Sequence, residues 1–204
     1  ARELSRQKPP FAAVIFTITS HHPYPIPDRY RGRFNKGTLP IHETIGYTDH
    51  ALQQFFATAR RQPWFADTLF VITADHTEML ESPEYQNALG QYRVPLLVYH
   101  PGRTFSGVDR TRVTQHVDIL PSLLDYLGLE PDRRLLFGKS IFRSGSGRAF
   151  LNANGHYWLI RGQDALEFVP GGTSQMFSLA ADPQLRRPID DETPRRDEME
   201  REAK

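Results

Sequence analysis

Two apolar segments that flank one helical pattern constrain the fold of this chain more than any other feature. Phe11–Thr19 (FAAVIFTIT) and Thr68–Ala74 (TLFVITA) are continuous runs of mainly β-branched and aromatic residues, which is typical of strands buried on both faces. Between them, apolar residues recur at spacings of three and four from Ile45 to Ala59 and predict an amphipathic helix, which Pro63 stops. Strand, helix and strand in this order predict a βαβ unit whose two strands run parallel.

The rest of the chain adds shorter elements to this α/β prediction. Val94–His100 (VPLLVYH) is predicted to be a third strand. Val117–Gly128 is predicted to be a short helix that is entered through Asp118 and ends at Gly128. After Phe137, short apolar stretches separated by Gly and Asn predict an antiparallel subsheet.

These elements predict one domain with a charged extension. We expect an α/β part over residues 1–136, the antiparallel subsheet of the same domain over 137–185, and a charged tail over 186–204. The tail is predicted to be a solvated or frayed helix because most of its side chains are charged.

Composition excludes several classes of function. The chain has 204 residues with 25 Lys and Arg against 24 Asp and Glu, a net charge of +1, which gives no electrostatic reason to expect a nucleic acid partner. It has no cysteine, so disulfides and thiolate metal sites are excluded. No apolar run approaches the roughly 18 residues that a membrane-spanning helix needs.

Side chains that are able to bind a metal follow both predicted strands. Thr19–His22 follows the first strand, and Asp75, His76 and Thr77 follow the second. Because ligands bind at the carboxyl ends of parallel strands, we expect His21 to lie close to the Asp75–His76 pair. An Asp carboxylate and a neutral imidazole are good ligands for a Zn or Mn type ion. The alternative is that Asp75 caps a helix and that the histidines are ordinary surface residues.

Several other polar residues each have two possible interpretations. Arg29, Arg31, Arg33 and Lys36 could form an anion-binding rim or a solvated loop. Arg93 could face a phosphate or a neighbouring carboxylate, and His116 could approach the site or lie on the surface. No Ser or Thr occupies a convincing strand-to-helix elbow, so the sequence indicates no nucleophile.

Four blocks of sequence, in this order, resemble the lipoteichoic acid synthase-like (phosphoglycerol transferase) branch of the sulfatase and alkaline phosphatase superfamily. They are KPPFAAVIFTITSHHPYPIP, YTDHALQQFFATARRQPWFADTLFVITADHT, YRVPLLVYHPG and QHVDILPSLLDYLG. The resemblance implies a partial alkaline-phosphatase-like sheet. It also implies that Asp75 and His76 bind the catalytic metal, commonly manganese, with Zn²⁺ or Mg²⁺ as alternatives. His21 then contacts the headgroup of a phospholipid substrate, while His22 falls where an aromatic residue is common and receives no role.

In the family, the nucleophilic Thr, a metal-binding Glu and the membrane-spanning helices lie upstream of the first block. The resemblance therefore implies that this chain is the C-terminal part of a catalytic domain on the extracytoplasmic side of a membrane or in the periplasm. We expect the chain alone to be inactive, to bind metal weakly and to associate with the N-terminal half. Two alternatives are a sulfatase, although sulfatases tend to have Asp-Asn where this chain has Asp75-His76, and a non-catalytic interaction domain.

Overall fold

The structure is a computed structural model that divides into two compact units. One unit comprises Ala1–Glu81 and Gln91–Ser106, and the other comprises Ser82–Gly90 and Gly107–Lys204. The residues that the structure describes are 1–78, 81–105, 107–130, 137–189 and 194–203. The predicted boundary after residue 136 adjoins residues 131–136, which lie outside the described residues, so that division stays a prediction.

The first unit contains helix α1, Pro40–Ala59. The predicted helix is confirmed, and it begins five residues before Ile45. Pro40 suits the first helical position because its φ is already helical and its missing N–H would have no partner there. The ring nitrogen Nδ1 of His42 accepts the backbone N–H of Thr38 at 3.1 Å and of Leu39 at 3.2 Å, which ties the preceding chain to the helix.

The sheet of the first unit consists of two short strands, β1 (Phe70–Thr73) and β2 (Leu96–Tyr99). They pair antiparallel, with Phe70 opposite Tyr99. The Phe70 ring stacks on Tyr99 at a centroid distance of 5.9 Å and contacts Phe56 of α1 at 5.1 Å. This aromatic cluster fixes the sheet against the helix, since such ring pairs add to the energy of apolar burial.

The predicted parallel pairing is corrected by the structure. Residues 11–18 belong to no strand, and among the described residues β1 pairs with β2 alone. Val14 is 98% exposed and Phe16 is 72% exposed. An apolar run becomes a buried strand only where neighbouring strands and covering layers are available, and the described residues supply neither to this segment.

The second unit contains a short helix whose N-terminal turn is capped by one of its own side chains. A 3-10 turn, His116–Asp118, leads into helix α2, Ile119–Tyr126. The buried Asp118 carboxylate accepts the N–H of Gln115 at 3.0 Å and of Lys139 at 2.8 Å. Gly128 has φ of +68°, the left-handed conformation that ends helices. The predicted entry and end of this helix are therefore confirmed.

The predicted C-terminal antiparallel subsheet is also confirmed. The four strands share one antiparallel sheet in the order β3-β4-β5-β6 and are β3 (Ala149–Ala153), β4 (His156–Arg161), β5 (Asp164–Phe168) and β6 (Ser174–Ser178). Successive residues of β4 face opposite sides, so that Trp158 joins one apolar cluster and Leu159 joins another. Together with helix α1, this sheet confirms the α/β class.

The charged tail forms helix α3, Pro194–Ala203, as predicted. It is not solvated all round, because Met199 is fully buried with Leu159 and Leu166 of the sheet. The Arg161 guanidinium binds both carboxylate oxygens of Glu198 at 2.9 and 3.0 Å. None of the helices among the described residues is both long and apolar enough to cross a bilayer.

Candidate functional site

The side chains of Asp75 and His76 turn to the same side just after β1. Asp75 Oδ1 accepts the backbone N–H of His76 at 3.0 Å. Its other oxygen, Oδ2, lies 3.6 Å from His76 Nε2. Adjacent residues inside a strand would face apart, so it is the departure from strand geometry after Thr73 that brings these two groups together.

A backbone hydrogen bond orients the His76 ring. Nδ1 lies 2.8 Å from the carbonyl oxygen of Thr77. Because a carbonyl oxygen can only accept, Nδ1 carries the proton in the neutral ring and the lone pair is then on Nε2, the arrangement that is usual for metal-binding histidines. This hydrogen bond is the largest influence that raises the pKa of His76 above its ordinary value. Partial burial opposes the rise, and the carboxylates of Asp75 and Glu78 add to it.

The turn after residues 11–18 holds His21 in a similar way. The His21 N–H donates to the carbonyl of Ile18 at 3.1 Å, and the Tyr24 N–H donates to the carbonyl of His21 at 2.8 Å. His21 Nδ1 lies 2.9 Å from the carbonyl oxygen of His22. In the neutral ring the lone pair is therefore also on Nε2, and the imidazole is exposed.

A hydrogen bond between Tyr24 and Glu78 joins the two segments. The Tyr24 hydroxyl donates to Glu78 Oε1 at 3.2 Å, and Glu78 is two residues beyond His76. Burial, followed by the effect of Glu78, raises the pKa of Tyr24. Tyr24 has φ of +61°, a strained conformation for a residue with a side chain. Such strain is often found at binding sites, and it was not foreseen from the sequence.

The other two predicted site residues are Arg93 and His116. The Thr77 N–H donates to the carbonyl of Gln91 at 2.8 Å, so the chain segment that leads to Arg93 is bound to the loop after β1. Arg93 itself is exposed. His116 is exposed in the 3-10 turn of the second unit. The substrate-binding roles of both residues stay predictions.

The pair Asp75 and His76 is suited to a shared metal ion. The 3.6 Å between Asp75 Oδ2 and His76 Nε2 is less than twice the bond length of about 2.1 Å to such an ion, so one ion can contact both atoms. Within the described parts of the chain, no group of three or more His, Cys, Asp and Glu side chains surrounds a common point for a metal. Asp75 and His76 are thus two candidate ligands, and their metal-binding role stays a prediction.

Comparison with known proteins gives the class of this chain. A family model described as Sulfatase matches residues 1–129, and the chain belongs to this family. The fold is similar to that of an alkaline phosphatase superfamily protein from Vibrio parahaemolyticus, with a TM-score of 0.73 and 20% identity over 93% of this chain and 46% of that one. It is also similar to the phosphonate monoester hydrolase of Agrobacterium radiobacter, with a TM-score of 0.57 and 19% identity over 80% of this chain and 40% of that one. The predicted alkaline-phosphatase-like fold is confirmed.

Within this class the chain is lipoteichoic acid synthase-like. It is 28% identical over 174 residues to lipoteichoic acid synthase 1 of Bacillus subtilis, covering 76% of this chain and 27% of that protein. It is 22% identical over 168 residues to lipoteichoic acid synthase of Staphylococcus aureus, covering 75% of this chain and 26% of that protein. The chain thus spans about a quarter of the length of these curated relatives.

Proposed function

We propose that this chain is part of the catalytic domain of a metal-dependent phosphoglycerol transferase or related phosphodiesterase that acts on phosphatidylglycerol-type headgroups. The observation that carries the proposal is the approach of two motif segments: the Tyr24–Glu78 hydrogen bond holds the turn of His21 beside the segment of Asp75 and His76. The relatives named lipoteichoic acid synthase support the same chemistry.

Each residue has a defined role in this proposal. Asp75 Oδ2 and His76 Nε2 hold a divalent ion, with manganese preferred and zinc or magnesium as alternatives. The ion, when bound, supplies positive charge that stabilises phosphate oxygens. His21 Nε2 accepts a hydrogen bond from a hydroxyl of the glycerol headgroup, because its Nδ1 already donates to the carbonyl of His22. The hydrogen bond to Glu78 keeps the turn of Tyr24 in place while the headgroup binds.

The proposal assigns the nucleophile and further metal ligands to residues outside this chain. The chain alone is then inactive, and its partner is the N-terminal half of the catalytic domain. The exposed run Val14–Ile18 supports this partner, because an apolar segment with side chains as exposed as Val14 (98%) is stabilised when another segment covers it. The complete protein acts on the extracytoplasmic face of the cell membrane or in the periplasm.

The metal assignment is tested by calorimetric titration of this chain with Mn²⁺ and Zn²⁺. We expect weak binding that His76→Ala reduces at least about tenfold, since loss of a ligand costs no less than loss of its supporting contacts. His156→Ala is the matched control, because His156 is paired with Glu167 at 2.8 Å and is given no metal role. A tight stoichiometric site, or binding that His76→Ala leaves unchanged, would contradict the assignment.

A second candidate function is hydrolysis of sulfuric esters, which the match to the sulfatase family favours. The two functions are separated by assaying the complete protein with a phosphatidylglycerol-type phosphodiester and with a sulfate ester. We expect turnover of the phosphodiester and its collapse in His76→Ala. Turnover of the sulfate ester alone would replace the first proposal with the second. Turnover of neither, together with no metal binding, would identify a non-catalytic interaction domain.

A further inference from the structure

A short segment that follows the loop of His76 is built into the core of the second unit. This segment, Ser82–Gly90, belongs to the second unit, although the chain on either side of it belongs to the first. We call it the anchor segment. Its residue Leu89 is 4% exposed and belongs to the same apolar cluster as Trp158 and Phe177 of the C-terminal sheet. Burial of a leucine side chain is strongly favourable, so the anchor segment has a defined place in the fold.

The Asn87 side chain fixes the conformation of the anchor segment. Its amide nitrogen donates to the carbonyl oxygen of Pro183 at 2.9 Å, a contact within the second unit. Its Oδ1 accepts the N–H of Leu89 at 2.9 Å and of Gly90 at 3.0 Å. Gly90 is buried, and a Cβ there would lie 1.8 Å from the carbonyl oxygen of Tyr85. The end of the anchor segment is therefore held both by hydrogen bonds and by close packing.

Two hydrogen bonds connect the end of the anchor segment to the imidazole of His76. Gln91 directly follows the anchor segment, and its carbonyl oxygen accepts the N–H of Thr77 at 2.8 Å. The carbonyl oxygen of Thr77 in turn lies 2.8 Å from His76 Nδ1. This second bond places the proton of the neutral ring on Nδ1 and the lone pair on Nε2, which lies 3.6 Å from Asp75 Oδ2. The position of Gln91 thus influences which nitrogen of His76 is able to bind a metal.

We propose that Asn87 and Leu89 are positioning residues that keep the His76 ring in the tautomer and orientation that bind a metal ion. The inference rests on the proposed function, because it concerns the same metal ligands. Since the chain is ordered through the anchor segment before an ion binds, little conformational entropy is lost on binding. Groups that orient a metal-binding histidine contribute to metal affinity although they do not touch the ion.

The first test uses nuclear magnetic resonance of the metal-free 204-residue chain. The ¹⁵N shifts of the His76 ring, recorded above its pKa, report the tautomer, and hydrogen exchange of the Thr77 N–H, recorded at lower pH, reports the bond to Gln91. We expect Leu89→Ala to speed this exchange at least about tenfold, because it removes the packing that resists local opening. We also expect it to populate the Nε2–H tautomer of His76, which the hydrogen bond to Thr77 disfavours in the unmodified chain.

Leu159→Ala is the matched control, because Leu159 is fully buried in the same unit but belongs to the other apolar cluster. We expect it to change the exchange of the Thr77 N–H less than about threefold and to leave the His76 tautomer unchanged. Equal effects of Leu89→Ala and Leu159→Ala would overturn the inference, since they would indicate a general loss of stability.

Asn87→Ala tests the same connection without removing a side chain from the apolar cluster, and it decides the question if Leu89→Ala does not fold. It is expected to shift the exchange and the tautomer in the same direction as Leu89→Ala. Asn87→Asp keeps the oxygen that accepts the N–H groups of Leu89 and Gly90, so we expect it to restore part of the effect. Unchanged exchange and tautomer in Asn87→Ala would overturn the inference.

Calorimetric titration with Mn²⁺ separates failure of this inference from failure of the proposed function. We expect Leu89→Ala and Asn87→Ala to weaken Mn²⁺ binding about tenfold, the lower end of the range for groups that orient a metal-binding histidine. Equal affinity in the unmodified chain and in both variants would overturn the inference. Absence of Mn²⁺ binding by the unmodified chain would contradict the proposed metal site instead, and the tautomer and exchange results would then decide whether the anchor segment orients His76.

Discussion

Replacement of Met199 by alanine tests whether the charged C-terminal helix is part of the folded second unit. Met199 is fully buried and packs with Leu159, Leu166 and Met176, which are themselves buried. Truncation of such a side chain costs about 2–5 kcal/mol in general. We expect the lower part of this range, about 2–3 kcal/mol, because the flexible Met176 can move into part of the space and alanine is a slightly better helix former than methionine.

The free energy of unfolding is measured by urea denaturation, and the circular dichroism of the sheet and helices is the signal that reports unfolding. For a chain of this size, each 1 kcal/mol lowers Tm by about 2–4 °C, so we expect Met199→Ala to lower it by about 4–12 °C. Arg201→Ala is the control in the same helix, because Arg201 is exposed, and it is expected to change stability by less than about 0.5 kcal/mol. If both variants change stability by the same small amount, α3 does not dock through Met199 and the reasoning is refuted.

Two further predictions concern the second unit. Gly147 and Gly155 both have positive φ. A Cβ at Gly147 would lie 1.9 Å from the carbonyl oxygen of Val113, whereas a Cβ at Gly155 would have no heavy atom of another residue within 4 Å, its chain neighbours aside. We expect Gly155→Ala to lower the free energy of unfolding by about 1 kcal/mol and Gly147→Ala to lower it by at least about 2 kcal/mol more. Equal losses in urea denaturation would contradict the steric argument. The hydrogen bond from Arg143, at 2.9 Å, is the first cause that lowers the pKa of Asp125. A carboxyl group whose pKa is lower in the folded protein than in the unfolded chain stabilises the fold at pH values above the unfolded-chain pKa. This stabilisation is lost as pH falls through the pKa of the folded protein. The stability difference between the unmodified chain and Asp125→Asn should therefore begin to shrink as pH falls below about 4 and should go on shrinking as pH falls through the lowered folded pKa. A difference that does not shrink over this range would refute this account.

Much of the local structure could be predicted because it depends on neighbouring residues. The spacing of apolar residues predicted helix α1, and Asp118 and Gly128 predicted the entry and end of the helix around α2. One half of the candidate site, the Asp75–His76 pair, could be predicted from neighbouring residues in the same way. The position of Asp75 and His76 just beyond an apolar strand was sufficient to predict that both could turn toward one point.

The other half of the site depends on a contact between distant residues. Tyr24 and Glu78 are 54 positions apart, and nothing in either residue type indicates the other as its partner. Tyr24 closes the segment SHHPY, and Glu78 follows Asp75-His76-Thr77, so their places in two polar motifs were the signal that could have suggested them. Similarly, the charged residues of the tail (186–204) predicted a solvated or frayed helix, whereas the apolar residue Met199 decides which face of α3 is buried.

The amino-acid sequence by itself determined where helix α1, strands β1 and β2 and the C-terminal subsheet form, where the helix around α2 ends, and which side chains follow β1, because those outcomes depend on periodicity and on capping groups within a few residues. Tertiary structure alone decided that β1 pairs antiparallel with β2, that residues 12–18 are left exposed, and that the turn of Tyr24 lies against Glu78. A run of apolar residues specifies that burial is favourable, but the pairing of strands depends on which segments are available to supply hydrogen bonds and covering surface.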